Sequence, residues 1–217
     1  MPRKRLVTGT RKSKLGTAKN VLVKFALIGL IPVVIYLSGQ KIWQLLQEPS
    51  QVSSIVEVLE QTDNATHAGY YDDALVEYNA LHKDVKRISS KSKRAEMYSA
   101  IAIRQAHCYY SLGLLKKSQE SIGRAIFYSE LIFDLIPLNT GRIYWANAYY
   151  YLGLAHWALS EYEDEKRLQS LRKSKEFFEK CLDITTVNDN PLHELSRSAL
   201  DILSQYLETL EKDSSSK

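Results

Sequence analysis

From residue 52 onward apolar residues recur at spacings of three and four and never settle into sustained alternation, so the body of the chain reads as helix throughout. No Asn-Gly or Asp-Gly pair joins two alternating runs, as a hairpin would require. Breakers fall at 67–69, at "SSKSK" 89–93, at Gly113, at "PLNTG" 137–141, near Ser160 and at "TTVNDNP" 185–191. They divide the body into about seven helices. Gly113 is expected at a turn, with a positive φ as the reason for glycine. The last helix, about Leu192 to Leu210, sets Leu195, Ala199, Ile202, Leu203 and Tyr206 along one stripe, which suits it to close an open stack. Residues 211–217 read as a solvated tail.

The head of the chain follows a different pattern. In "NVLVKFALIGLIPVVIYLSGQK" the run from Phe25 to Gln40 carries no charge, and Val21 to Val23 extend it across Lys24. Spanning a bilayer takes about 20 largely apolar residues, a length this run meets when Lys24 snorkels to the interface. Residues 1–20 are then a basic tail, 21–46 a transmembrane helix with its juxtamembrane stretch, and 52–210 the helical body. A cleaved secretory signal is the competing reading. Tyr36 and Leu37, however, stand where small residues are wanted before a cleavage site, and "KIWQLLQ" continues the apolar pattern.

Charge sharpens that division. Residues 1–47 hold nine Lys and Arg and no acid, so the net charge of +4 conceals a basic head on an acidic body. The basic groups sit beside an apolar run, which argues against nucleic acid and for a membrane in which the basic tail stays on the side of synthesis. The body then faces the opposite compartment. An Arg-, Lys-, Ser- and Thr-rich, acid-free start resembles a mitochondrial targeting segment and points to the inner membrane, with the body in the intermembrane space. Asn64-Ala65-Thr66 keeps the endoplasmic reticulum or another secretory membrane open as the alternative.

Internal self-similarity gives the architecture. In "QAHCYYSLGLLKKSQESIGRAI" Ala106 and Tyr109 precede Gly113, and Ser118, Ile122 and Ala125 follow. "YYYLGLAHWALSEY" repeats the scheme with Tyr149, Leu152, Gly153 and His156, continued by Ser174, Phe178 and Cys181. Upstream stand Gly69, Tyr71, Ala74, Tyr78 and Leu81, after a weaker helix with Val58, Thr62 and Ala65. This framework resembles the tetratricopeptide repeat (TPR), a pair of helices in which small residues permit close approach and aromatics fill the space between. The units begin about 44 and 47 residues apart where the family's repeat is near 34, the third holds extra residues near "EDEKRLQSL", and the helix-ending proline is displaced to Pro137 and Pro191. The implied fold is all-α: a right-handed superhelix of about three TPR-like pairs with a C-terminal capping helix, preceded by one transmembrane helix.

The resemblance also implies a site. The first helix of each unit lines a concave face, which puts Leu59 and Asp63, then His107 and Tyr110, then Asn147, Tyr150 and Trp157 on a partner-binding groove. Leu59, Asp63, Ile103 and His107 replace the Lys and Asn clamp of the chaperone-binding members, so the expected ligand is an apolar or amphipathic protein segment. The opposing reading makes Tyr110, Tyr150 and Trp157 core residues between lengthened helices.

Catalysis is not expected. His107 and Cys108 are sequence neighbours whose side chains diverge by about 100° on a helix, so they form no dyad. His67, His82, His156 and His193 show no metal-ligand spacing, and no cofactor or small-molecule substrate is implied. Cys108 and Cys181 show no paired spacing, and a single bridge between them stays open. The functions expected are therefore a membrane-anchored adaptor or scaffold for a protease, translocase or assembly complex and, as the alternative, an accessory structural subunit packed permanently in a larger membrane complex.

Overall fold

The computed structural model describes residues 50–185 and 191–215. The basic tail and the apolar run 21–40 lie outside the described residues. Among those described, the protein is all-α, with seven α-helices and no strand. They are α1 (Ser50–His67), α2 (Tyr71–Val85), α3 (Lys91–Lys116), α4 (Gln119–Leu135), α5 (Leu138–Leu159), α6 (Arg167–Ile184) and α7 (Pro191–Ser215), with a short 3-10 turn at Asp164–Lys166. No helix among the described residues is long and apolar enough to cross a membrane.

Local chemistry explains most of the boundaries. Gly69 closes α1 at φ +87, a left-handed conformation that glycine adopts without steric cost. Ser90 caps α3 by accepting the Lys93 amide at 3.4 Å, and Ser118 caps α4 by accepting the Ser121 amide at 3.1 Å. Pro137 and Pro191 stand at the starts of α5 and α7, where a missing amide hydrogen costs nothing. The charge run after Ser160 forms the 3-10 turn and the first turn of α6. α7 runs past Leu210 to Ser215, because a helix already nucleated propagates through polar residues.

Each helix packs against its chain neighbours, and α1, α3, α5 and α7 also touch one another in succession. Short connections make neighbouring helices antiparallel, which gives three hairpins, α1–α2, α3–α4 and α5–α6, with α7 against α6 and α5. α3 serves as a wall between two cores. Met97, Ile101, Cys108 and Leu112 face a cluster built with α1 and α2, while Ala102, Ile103, Ala106 and Tyr110 belong to the larger cluster that continues through α4 to α7. A helix with an apolar neighbour on both sides is buried almost all round, and α3 is buried at nearly every position from Met97 to Gly113.

Gly113 is not at a turn. It lies inside α3, and a Cβ there would come within 2.3 Å of the Ile122 side chain on α4. The turn falls four residues later, at Lys117, whose φ of 51 is the left-handed value that sequence reasoning assigned to the glycine. Gly153 plays the same part in the next hairpin, where a Cβ would meet the Phe178 ring at 2.8 Å. Phe178 is fully buried. Gly153→Leu is therefore expected to lower the melting temperature, at a cost of about 1–3 kcal/mol by overpacking, and an unchanged thermal melt would contradict this geometry. Lys117→Gly should raise stability by about 0.5–1 kcal/mol, since the left-handed conformation strains any residue with a Cβ; a chemical denaturation midpoint reads the gain.

Candidate functional site

All seven residues assigned to the groove are interior residues. Leu59 is fully buried in the α1–α2–α3 core, and Tyr110 and Tyr150 are fully buried in the larger one. Trp157 belongs to that larger core as well. Tyr150 packs against Tyr151 and Phe178, at centroid distances of 5.8 Å to each. Asn147 turns back to donate from Nδ2 to the Ile143 carbonyl at 2.8 Å. Asp63 and His107 are also buried. The reason is covering: α3 packs against α1, α2, α4 and α5, and α5 against α3, α4, α6 and α7, so the faces that would line a groove in an open stack are in contact here.

The structure brings Asp63 together with residues that the repeat pattern does not connect to it. The Arg104 guanidinium grips the Asp63 carboxylate with both arms, Nε to Oδ1 at 2.7 Å and Nη2 to Oδ2 at 2.8 Å. The Tyr78 hydroxyl donates to Oδ1 at 2.7 Å, and Thr66 Oγ1 lies 3.2 Å from that hydroxyl. Arg104 Nη1 also donates to the Ala100 carbonyl at 3.0 Å. This polar knot joins α1, α2 and α3. Burial alone would lower the Arg104 pKa, but the Asp63 carboxylate and its hydrogen bonds outweigh that and hold the guanidinium charged. Burial, then the Asp63 charge, push the Tyr78 hydroxyl well above its ordinary range, so it keeps the proton that it donates to Asp63. Sequence reasoning missed Arg104. The available signal was a lone charge within "YSAIAIRQAHC", an otherwise apolar and small-residue stretch that buries a charge only with a partner.

His107 and Cys108 occupy different surroundings, as helix geometry dictates. His107 packs edgewise on Tyr71 and tilts against Tyr151, with ring centroids 6.0 and 5.9 Å away, and its Nδ1 has no hydrogen-bond partner. Burial lowers its pKa to about 4, opposed in part by Asp63. The Cys108 thiol lies 3.8 Å from Thr66 Oγ1, and burial pushes it up to about 12. A neutral imidazole and a protonated thiol on separate faces make neither a nucleophile nor its base. Cys181 is likewise free and buried, in the other core, with its thiol directed at the Ala146 carbonyl at 3.3 Å. Thr66 of the Asn64 acceptor motif commits its hydroxyl to the Thr62 carbonyl at 3.0 Å inside α1, while Asn64 itself is exposed. Among the described residues no group of His, Cys, Asp and Glu gathers as a metal site would need.

An aromatic row across α4, α5 and α6 is partly open to solvent. Phe133, Trp145, Tyr149, Phe177 and His156 are half-buried and in sequential ring contact at 4.6 to 6.3 Å. The Lys180 ammonium stands 5.4 Å from the Phe177 ring centre and 5.9 Å from that of Tyr149. Comparisons with family models, with curated proteins and with solved structures gave no match.

Proposed function

We propose that this chain is a single-pass membrane-anchored, TPR-like protein that acts as an adaptor or scaffold for a membrane complex such as a protease, a translocase or an assembly machine. The observation that carries the reading is the aromatic row from Phe133 to His156. Half-buried large rings rimmed by a cation have the makeup of an interface hot spot. The bound segment is apolar or amphipathic, and it docks on the outer side of the hairpins instead of an inner groove. Affinity purification of the tagged full chain from native membrane, repeated with Trp145→Ala and Phe177→Ala, tests this. Loss of the same partner from both variants with unchanged circular dichroism supports the interface; retention of the partner by both would refute it.

A second reading, the accessory subunit packed permanently in a larger complex, is favoured by the burial of Leu59, Asp63, His107, Tyr110, Asn147, Tyr150 and Trp157. A body without an open inner groove suits a fixed assembly. Exchange separates the two readings: an adaptor swaps for added free chain within an assay, whereas a permanent subunit does not. The leading placement is the mitochondrial inner membrane with the body in the intermembrane space, resting on the acid-free basic head and the uncharged run. Protease added to intact organelles should spare a C-terminal tag. A size shift dependent on Asn64 would move the protein to the secretory pathway.

A further inference from the structure

Residues 83–94, which run from the last turn of α2 through the connection into the first turn of α3, carry six basic residues, Lys83, Lys86, Arg87, Lys91, Lys93 and Arg94, against the single acid Asp84, which Arg87 contacts at 3.3 Å. Lys83, Lys86, Arg87 and Lys91 are exposed. The connection has a fixed shape. Ile88 is buried beneath it, the Arg87 and Ile88 amides donate to the Asp84 and Val85 carbonyls at 3.0 and 3.1 Å, and Ser90 caps the helix that follows.

Its position is informative. Antiparallel packing of α1, α2 and α3 sets this connection at the end of the body where α1 begins, and Val52, Ile55 and Val56 of α1 share one buried cluster with Val85, Ile88 and Met97. Nine residues separate Gln40, the end of the uncharged run, from Ser50, and covalent geometry caps their reach at about 35 Å. The basic connection is thus at the tethered end. Lys116 and Lys117 belong to the far end, where Lys116 contacts Asp72 at 2.7 Å.

We infer that the α2–α3 connection rests on the anionic lipid headgroups of the membrane that holds the anchor. The inference depends on the anchoring proposed above. Anionic lipid in the leaflet that the body faces attracts Lys and Arg that come within a Debye length, about 8 Å at physiological salt. The tether keeps the connection at high effective concentration beside that surface, so headgroups meet it before any soluble acidic partner does. Anchor and basic connection together make a two-point attachment that sets the tilt of the body and with it the direction of the aromatic row.

The test uses the full chain reconstituted in vesicles of phosphatidylcholine alone or with phosphatidylserine added, probed with an impermeant amine-labelling reagent and read residue by residue. Labelling of Lys83, Lys86 and Lys91, taken relative to Lys116 and Lys117, is expected to fall about threefold or more on the anionic vesicles. It should recover in high salt. In Lys86→Glu with Lys91→Glu the protection of Lys83 should vanish while the circular dichroism spectrum is kept. Equal labelling on both vesicles, with the chain still floating on neutral ones, overturns the lipid contact and leaves the anchor standing. A chain that does not float with neutral vesicles overturns the anchor, and the inference with it. Protection present in native membranes but absent on anionic vesicles assigns the connection to an acidic protein segment and also overturns the lipid contact.

Discussion

Arg104→Ala is expected to destabilise the protein by about 3–5 kcal/mol, the usual cost of removing one partner from a buried ion pair. The loss does not mean that the pair is worth that much. Burying both charges is expensive, and the substitution leaves the Asp63 carboxylate in the interior with only the Tyr78 hydroxyl on Oδ1 and nothing to replace the guanidinium. Asp63→Leu combined with Arg104→Met should therefore recover much of the loss. Arg104→Lys should not, since an ammonium cannot span both carboxylate oxygens. Urea unfolding of Asp63→Leu, Arg104→Met and the double variant closes the cycle. Additive losses would show that the pair acts as two separate charges. Against a total stability of about 5–15 kcal/mol, this change threatens the fold itself. The role assigned to the pair is register: Asp63 on α1 and Arg104 on α3 meet where two hairpins join, and a one-residue slip of either helix would strand both charges.

The same pair marks the limit of what the sequence discloses. Helix ends are legible where local chemistry makes them, as at Gly69, Ser90 and Pro191. Lys117 is a turn made by tertiary packing on a residue with no turn preference, so the nearest glycine drew the assignment instead. Gly113 and Gly153 share their local frame, "YYSLGL" and "YYYLGL", and the structure gives them one role, close approach to the next helix. Periodicity also finds the faces of α3 and α5 but not how many neighbours cover them. Tyr110, Tyr150 and Trp157 accordingly read as groove residues in an open stack and prove to be core in this one. The Asp63–Arg104 contact spans 41 positions between different helices, a separation that no local pattern encodes.

Stability should fall as pH drops from about 6.5 towards 4, and His107 is one reason. Burial holds its imidazole neutral in the folded protein, with a pKa lowered from 6.5 to about 4 against the opposing pull of Asp63. Below pH 6.5 the unfolded chain takes up a proton that the folded chain refuses, so the equilibrium moves towards unfolding with each step down. Above pH 6.5 both states are neutral at this position and the effect vanishes. A tenfold difference in proton affinity between the two states corresponds to about 1.4 kcal/mol, so the window as a whole is worth on the order of 3 kcal/mol. His156, lowered to about 4 by burial and by Lys173, acts in the same direction. His107→Phe keeps a ring against Tyr71 and Tyr151 and removes the titration, so its melting temperature should decline less steeply between pH 7 and pH 4.5 than that of the parent. Parallel slopes for the two proteins would show that His107 takes up its proton in the folded state, as an imidazole with solvent access does, and would contradict its burial between those two rings.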